Sequence, residues 1–155
     1  MRTRDLGEIL ADHPLLTELG PDRAAVLAGC AKIVRFEAGA RIIGADDPAD
    51  QFWLLRHGSV DVELHAASHG TLVISTLVRD DLLGVSWIAP PYVSRFDATA
   101  RDTVTAVEFD AACLRGKCDD DPVLGYALFS RFAALMGDRL QAARLQLLDM
   151  YGEPA

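Results

Sequence analysis

The spacing of hydrophobic and polar residues changes character twice along this chain. From Asp5 to Cys30 apolar residues recur at helical spacing in short pieces. Asp5 is placed to cap a turn running through Ala11. Pro14 stands at the first helical position of a second turn, and Gly20-Pro21 opens a helix with Ala24, Val26 and Leu27 on its apolar face. Pieces this short are unstable alone, so they must dock on something larger. From Cys30 to Asp110 the pattern contracts to strands, at Lys32–Phe36, Arg41–Ile43, Gln51–Arg56, Ser59–His65, Thr71–Leu77 and Thr103–Asp110. Turn residues separate them: Ala38-Gly39, Asp46-Asp47-Pro48, His57-Gly58 and Ser68-His69-Gly70. His57-Gly58 reads as a tight hairpin. Val60, Val62 and Leu64 alternate with Ser59, Asp61 and Glu63, which turns one face inward. Roughly seven short strands with close turns predict a sandwich, barrel or jelly roll.

The tail is helical. Asp121-Pro122 is a capped start with proline in the first turn, and Gly152 stops the pattern after Tyr151. Thirty residues make a rod of about 45 Å, longer than a small roll needs as cover. Phe129, Ala133, Met136, Leu140, Ala143, Leu147 and Met150 follow 4-3 spacing, an a/d seam suited to a parallel homodimer. A second stripe, Leu124, Leu128, Phe132 and Leu135, fades at Arg139 and is suited to docking on the roll. Arg139, Arg144 and Asp149 lie off the seam, where they are placed to set register between two chains.

Length and charge narrow the function. The 155 residues fit one domain: helices over 1–30, a β-roll over 31–110 and helices over 111–151, with no DNA-binding domain expected. A net charge of −8 gives no general attraction to nucleic acid, and no Lys/Arg-rich run is present. No uncharged stretch of membrane-spanning length occurs, and the N-terminus turns acidic before any apolar run, so a cytoplasmic protein without membrane contact is expected. Three cysteines, an odd count, argue against a disulfide framework and read as buried structural residues. His65 and His69 flank a turn without further ligands at metal-binding spacing, and Asp46, Asp47 and Asp50 read as a solvated turn; no metal is expected. Nucleophile elbow, phosphate-binding loop and dinucleotide fingerprint are all missing, which argues against an enzyme.

Many weak signals in order resemble one family. HPLLTELGPDRAAVLAGCAKIVRF resembles the helices and first strand of a CRP/FNR-type cyclic-nucleotide-binding domain. GARIIGADDPADQFWLLRHGSVDVEL resembles its glycine turn, exposed D-x-A-D loop and strands around a glycine hairpin. DDLLG, ending at Gly84, resembles the lead-in to the phosphate-binding cassette, and VTAVEFDAACL the last strand before the next helix. The resemblance implies a mainly β double-stranded β-helix, a jelly roll of the cyclic-nucleotide-binding type, with flanking helices and a long C-terminal helix. It implies a ligand pocket at Gly84, Val85, Ser86, Trp87, Tyr92, Ser94, Arg95 and Phe96.

The departures carry as much information. The family's cassette follows its glycine with a glutamate for the ribose; here Val85 stands there and accepts no hydrogen bond. The family's phosphate-binding arginine falls on Ser94 or Phe96, with Arg95 between them. Each lost charge-assisted bond removes roughly 1.5–3 kcal/mol, so usual cAMP or cGMP binding is not expected, and no cofactor is. Val85→Glu with Ser94→Arg is the change this pattern suggests for restoring a weak nucleotide site. Two readings of the aromatic cassette stand. Either Trp87 and Tyr92 plug the vacated pocket, or a one-turn helix near Ser86 and Arg95 or Arg101 serve a different anionic ligand. The resulting expectation is a stand-alone regulatory, sensor or protein-interaction module, dimeric, with a small-molecule ligand or a partner protein. The rival is a true cyclic-nucleotide receptor with an unconventional cassette.

Overall fold

The computed structural model describes residues 5–152. The basic start of the chain, Arg2 and Arg4, and the final Glu-Pro-Ala, on which the readings of the two chain ends partly rest, lie outside the described residues. Asp5 caps α1 (Leu6–Asp12) by accepting the Glu8 N–H at 2.8 Å. Pro14 does not open a helix. His13 instead gathers the next amides, its ring Nδ1 accepting from Leu15 and its carbonyl from Leu16 and Thr17, and only a 3₁₀ turn follows at Thr17–Leu19. Gly20, at φ 85°, leads into α2 (Pro21–Ala28) with proline in its first turn.

Among the described residues eight strands follow: β1 (Ala31–Phe36), β2 (Arg41–Ile43), β3 (Gln51–His57), β4 (Val60–Ala66), β5 (Gly70–Leu77), β6 (Leu82–Leu83), β7 (Asp97–Ala100) and β8 (Val104–Asp110). They form two four-stranded antiparallel sheets, ordered β1-β8-β3-β6 and β2-β7-β4-β5, a jelly roll with flanking helices. Periodicity misses β6, which is two residues long, and β7, whose inward residues are Ala98 and Ala100 rather than large apolar ones. It also misassigns the connection at His57-Gly58. β3 pairs with β8 and β6, and β4 with β5 and β7, so this turn carries the chain between sheets and is no hairpin. A Cβ on Gly58 would lie 2.3 Å from the Thr103 carbonyl oxygen, so only glycine fits the crossing. The hairpin is β4–β5, closing at Ala66 and Gly70.

β3 reads Phe-Trp-Leu-Leu without alternation because its sheet is covered on both faces. Trp53 and Leu55 point between the sheets with Val60, Val62, Leu83 and Val104, while Phe52 and Leu54 point at the helices with Leu10, Leu27, Leu114, Leu124 and Phe132. Inward alternation in β4 ends early: Val60 and Val62 are buried but Leu64 is exposed, because the hairpin runs past the roll.

Asp110 caps α3 (Ala111–Asp120) through the Cys113 N–H, and Asp121 caps α4 (Pro122–Tyr151) through the Leu124 N–H. Leu124, Leu128 and Phe132 are buried against the roll and Leu135 packs beside them. From Leu140 onward α4 is exposed. Arg139 is not free to set register with another chain, since its guanidinium donates to the Leu82 carbonyl. The expectation of unpaired cysteines is corrected at two positions: Cys30, just after α2, is disulfide-bonded to Cys113 in α3, and Cys118 is free and buried. The odd count misled because it speaks only for the third cysteine; proximity across 83 residues is a property of the fold. Among the described residues no helix is long and apolar enough to cross a membrane.

Candidate ligand-binding cassette

The cassette begins where β6 ends. β6 lies antiparallel on β3, Leu83 opposite Trp53, and Gly84 at φ 90° turns the chain out of the sheet. Val85 to Pro91 then run as successive turns rather than a helix; Ile88 N–H bonds the Val85 carbonyl and Tyr92 N–H that of Ala89. The expected one-turn helix near Ser86 is therefore corrected, and with it the idea of a helix N-terminus aimed at an anion. The Pro90-Pro91 peptide is cis. The returning limb is zipped onto the loop after β2. Ala49 N–H bonds the Tyr92 carbonyl at 2.8 Å, Ser94 N–H that of Asp47 at 2.9 Å, and Asp46 N–H that of Ser94 at 2.8 Å. Asp97 secures the base of the loop, accepting from Ala45 N–H at 2.8 Å and pairing with Arg41 at 3.4 Å.

Between loop and cassette lies a cavity of about 130 Å³. Gly84, Ser86, Ser94 and Phe96 line it, together with Ile43, Trp53, Gln51 and the carboxylate residues Asp47 and Asp50. Ser94 is buried, 6% exposed. Arg95 is exposed, and neither it nor Arg101 lines the cavity. Small-molecule pockets are typically about 300–1,000 Å³, so this space is smaller than a usual ligand pocket and suits a small polar group.

The remaining cassette residues face away. Val85 packs against the helical side of the core. Trp87 is fully buried there, stacked on Phe52 at 4.6 Å and edge-on to Phe132 at 5.6 Å, and it plugs the space beneath α4 rather than the cavity. Among the described residues its Nε1 has no hydrogen-bond partner. Phe129 lies 5.8 Å from Trp87, so the first residue of the proposed seam is engaged within the chain. Two arginines hold this face, Arg115, which sequence reasoning missed, and Arg139, to which it gave a different role. Arg115 of α3 donates to the Trp87 carbonyl at 2.9 Å and lies 4.5 Å over the Tyr92 ring. Arg139 of α4 holds the Leu82 carbonyl, and burial pushes its pKa down against the pull of Asp81. Nothing local in the sequence marks either arginine, since both act on segments tens of residues away. Asp47 and Asp50 did carry a signal, the D-x-A-D loop, but read as solvated.

Residues 33–121, more than half of the chain, match the family model described as Cyclic nucleotide-binding domain. The chain belongs to this family. The cyclic nucleotide-binding fold recurs in solved structures. One from Geobacter metallireducens, named for cyclic nucleotide binding, is 25% identical with a TM-score of 0.78 over 88% of this chain and 99% of that one. A cyclic nucleotide-binding domain from Methylobacillus flagellatus is 16% identical with a TM-score of 0.81, over 94% and 82%. Matches to curated proteins are shorter. Glutaminase 1 of Bradyrhizobium diazoefficiens is 42% identical over 55 residues, and the cAMP-dependent protein kinase regulatory subunit of Aspergillus niger 37% over 60. These cover 36% and 39% of this chain but only 9% and 15% of those proteins, so their whole-protein activities are not carried over.

Proposed function

We propose that this cyclic nucleotide-binding domain is a regulatory sensor or protein-interaction module of the cytoplasm, that it does not take cAMP or cGMP in the family's usual way, and that two copies pair through α4. The charge of the cavity carries this reading. Where the family pattern calls for an arginine facing a cyclic phosphate, the cavity offers Ser94 and the two carboxylates of Asp47 and Asp50. In largely solvated surroundings each carboxylate opposes a phosphate about 4 Å away by on the order of 1 kcal/mol, and the missing charge-assisted bonds remove roughly 1.5–3 kcal/mol each. A ligand fitting these walls would be small, and neutral or cationic.

Pairing through α4 is supported by its free end. Leu140, Leu147 and Met150 are 53%, 52% and 77% exposed and share the a/d seam. A parallel repeat of this kind is complementary to itself, which favours a second copy as the occupant.

The rival reading, a true cyclic-nucleotide receptor with an unconventional cassette, draws on the family match and on the Aspergillus niger relative, a cAMP-dependent protein kinase regulatory subunit. Calorimetric titration with cAMP and cGMP separates the two. The expected result is no binding tighter than roughly 100 µM, about −5.5 kcal/mol. A micromolar dissociation constant for either nucleotide establishes the rival.

A further inference from the structure

The Cys30–Cys113 pair joins the end of the N-terminal helical layer to the first turn of α3. Its two members differ in access. Cys30 is 6% exposed, whereas Cys113 is half-buried. An open cavity of about 330 Å³ lies against both, with Lys32, Glu108 and Asp110 among its walls. Cys113 is the third residue of α3, where the positive end of a helix favours a thiolate; the exposed Lys32 acts in the same sense, and the carboxylates of Asp110 and Glu108 oppose it. Cys113 is thus the member that an incoming sulfur reaches, and Cys30 the shielded member that completes or releases the bond. The third cysteine takes no part. Cys118 is buried, and burial, with Asp119 and Asp121, pushes its thiol pKa up.

Two residues beyond Cys113 on the same helix, Arg115 holds the cassette through the Trp87 carbonyl and the Tyr92 ring. A bond that fixes the first turn of α3 therefore fixes the base from which the cassette is held.

We propose that Cys30 and Cys113 form a reversible thiol–disulfide site that exchanges with low-molecular-weight thiols of the glutathione class, and that its state sets how tightly α3 holds the cassette. This goes beyond the ligand reading and stands whether or not the cassette takes a ligand. In the oxidising direction the Cys113 thiolate attacks glutathione disulfide, forming a mixed disulfide and releasing one glutathione thiolate. Cys30, losing its proton to solvent, then attacks the Cys113 sulfur and displaces the second. The protein loses two electrons and two protons, and one glutathione disulfide becomes two glutathione thiols.

The test uses the full chain, reduced without denaturant and equilibrated in glutathione buffers of graded ratio. Trapping by acid and alkylation, followed by peptide mass spectrometry, reads each cysteine. Cys30 and Cys113 should be lost to alkylation together while Cys118 stays free, and Cys30→Ser should accumulate the mixed disulfide on Cys113. Far-UV circular dichroism should match in both states. Hydrogen exchange over residues 85–94 should be about tenfold faster in the reduced protein, and Arg115→Ala should abolish that difference. A pair that cannot be reduced without denaturant, a reduced protein that unfolds, or a Cys30→Ser protein with no adduct overturns the exchange site. Equal cassette exchange in both redox states, or a difference that persists in Arg115→Ala, overturns the coupling. Serine at both positions supplies the permanently reduced form, and its cassette should exchange as the reduced protein does.

Discussion

Trp87 is a fully buried side chain in a chain segment that has no regular secondary structure. It ties the cassette to α4 by packing, since its indole N–H finds no acceptor among the described residues. Trp87→Ala should cost about 3–5 kcal/mol, read from urea unfolding. Trp87→Phe should cost far less, because removing an unpartnered buried donor recovers on the order of 1–3 kcal/mol; equal losses for the two would show that the indole N–H has a partner. Val85 makes a related point. Its side chain packs on the helical core, so Val85→Glu with Ser94→Arg should not restore cyclic nucleotide binding and should destabilise the fold by roughly 1–3 kcal/mol. Measurable cAMP binding in that double variant would place residue 85 at the cavity. His13 must be neutral to make both its bonds, with Nδ1 accepting from Leu15 and Nε2 donating to the Asp80 carbonyl. Burial lowers its pKa, against Asp80 and Asp81. An unfolded histidine takes up its proton at about 6.5, so the unfolded state binds protons first. The stability that His13 contributes is complete above that pH and is lost as pH falls from there through the lower folded value. Urea midpoints of wild type should fall faster than those of His13→Gln between about pH 7 and about pH 5; parallel curves would refute the assignment.

At the scale of elements, two glycines with similar backbone angles separate strain from space. Gly39, at φ 88°, has open surroundings, whereas at φ 86° Gly58 faces the Thr103 carbonyl. Gly39→Ala should cost about 1–2 kcal/mol, the penalty of the left-handed region alone. Gly58→Ala should cost distinctly more, because the crossing between sheets must move; equal thermal shifts would mean that the crossing yields freely. The β4–β5 hairpin shows where element-level reading stops. Its ladder runs from Val60 opposite Leu77 to Ala66 opposite Gly70 with one register shift between Val62 and Glu63, yet Leu64, Leu72, Val73 and Ile74 are exposed, since alternation decides which side a residue takes and not whether anything covers that side.

At the scale of the whole molecule, α4 divides between two tasks. Its first half closes the roll with Leu124, Leu128 and Phe132, and its last three turns stand clear. Leu140→Asp puts a charge in mid-seam. Light scattering on gel filtration should give twice 16.8 kDa for wild type and 16.8 kDa for the variant, with unchanged circular dichroism. A wild-type monomer at micromolar concentration removes the pairing, and an unfolded Leu140→Asp protein would assign the seam to the chain's own core. With net charge −8 this chain should also give no salt-sensitive gel shift with random duplex DNA at low salt.

The hydrophobic pattern alone predicted short strands between helices and the long capped helix with its two stripes, while the family resemblance narrowed the strands to a jelly roll and marked Val85 where the family has a glutamate. These are legible because periodicity, caps and turn residues act over a few neighbours. Partnership at a distance was not legible. Whether His57-Gly58 joins two strands of one sheet or crosses between sheets depends on which strands lie beside them. Whether Cys30 meets Cys113 depends on how α3 lands against the end of α2. The cassette shows the division most sharply: sequence named its residues, but packing under α4 turned Val85 and Trp87 inward, left Ser86, Ser94 and Phe96 at the cavity, and brought Asp47 and Asp50 to its wall. A side chain's direction is set by what the remaining surfaces leave room for, and that is decided only when every element is in place.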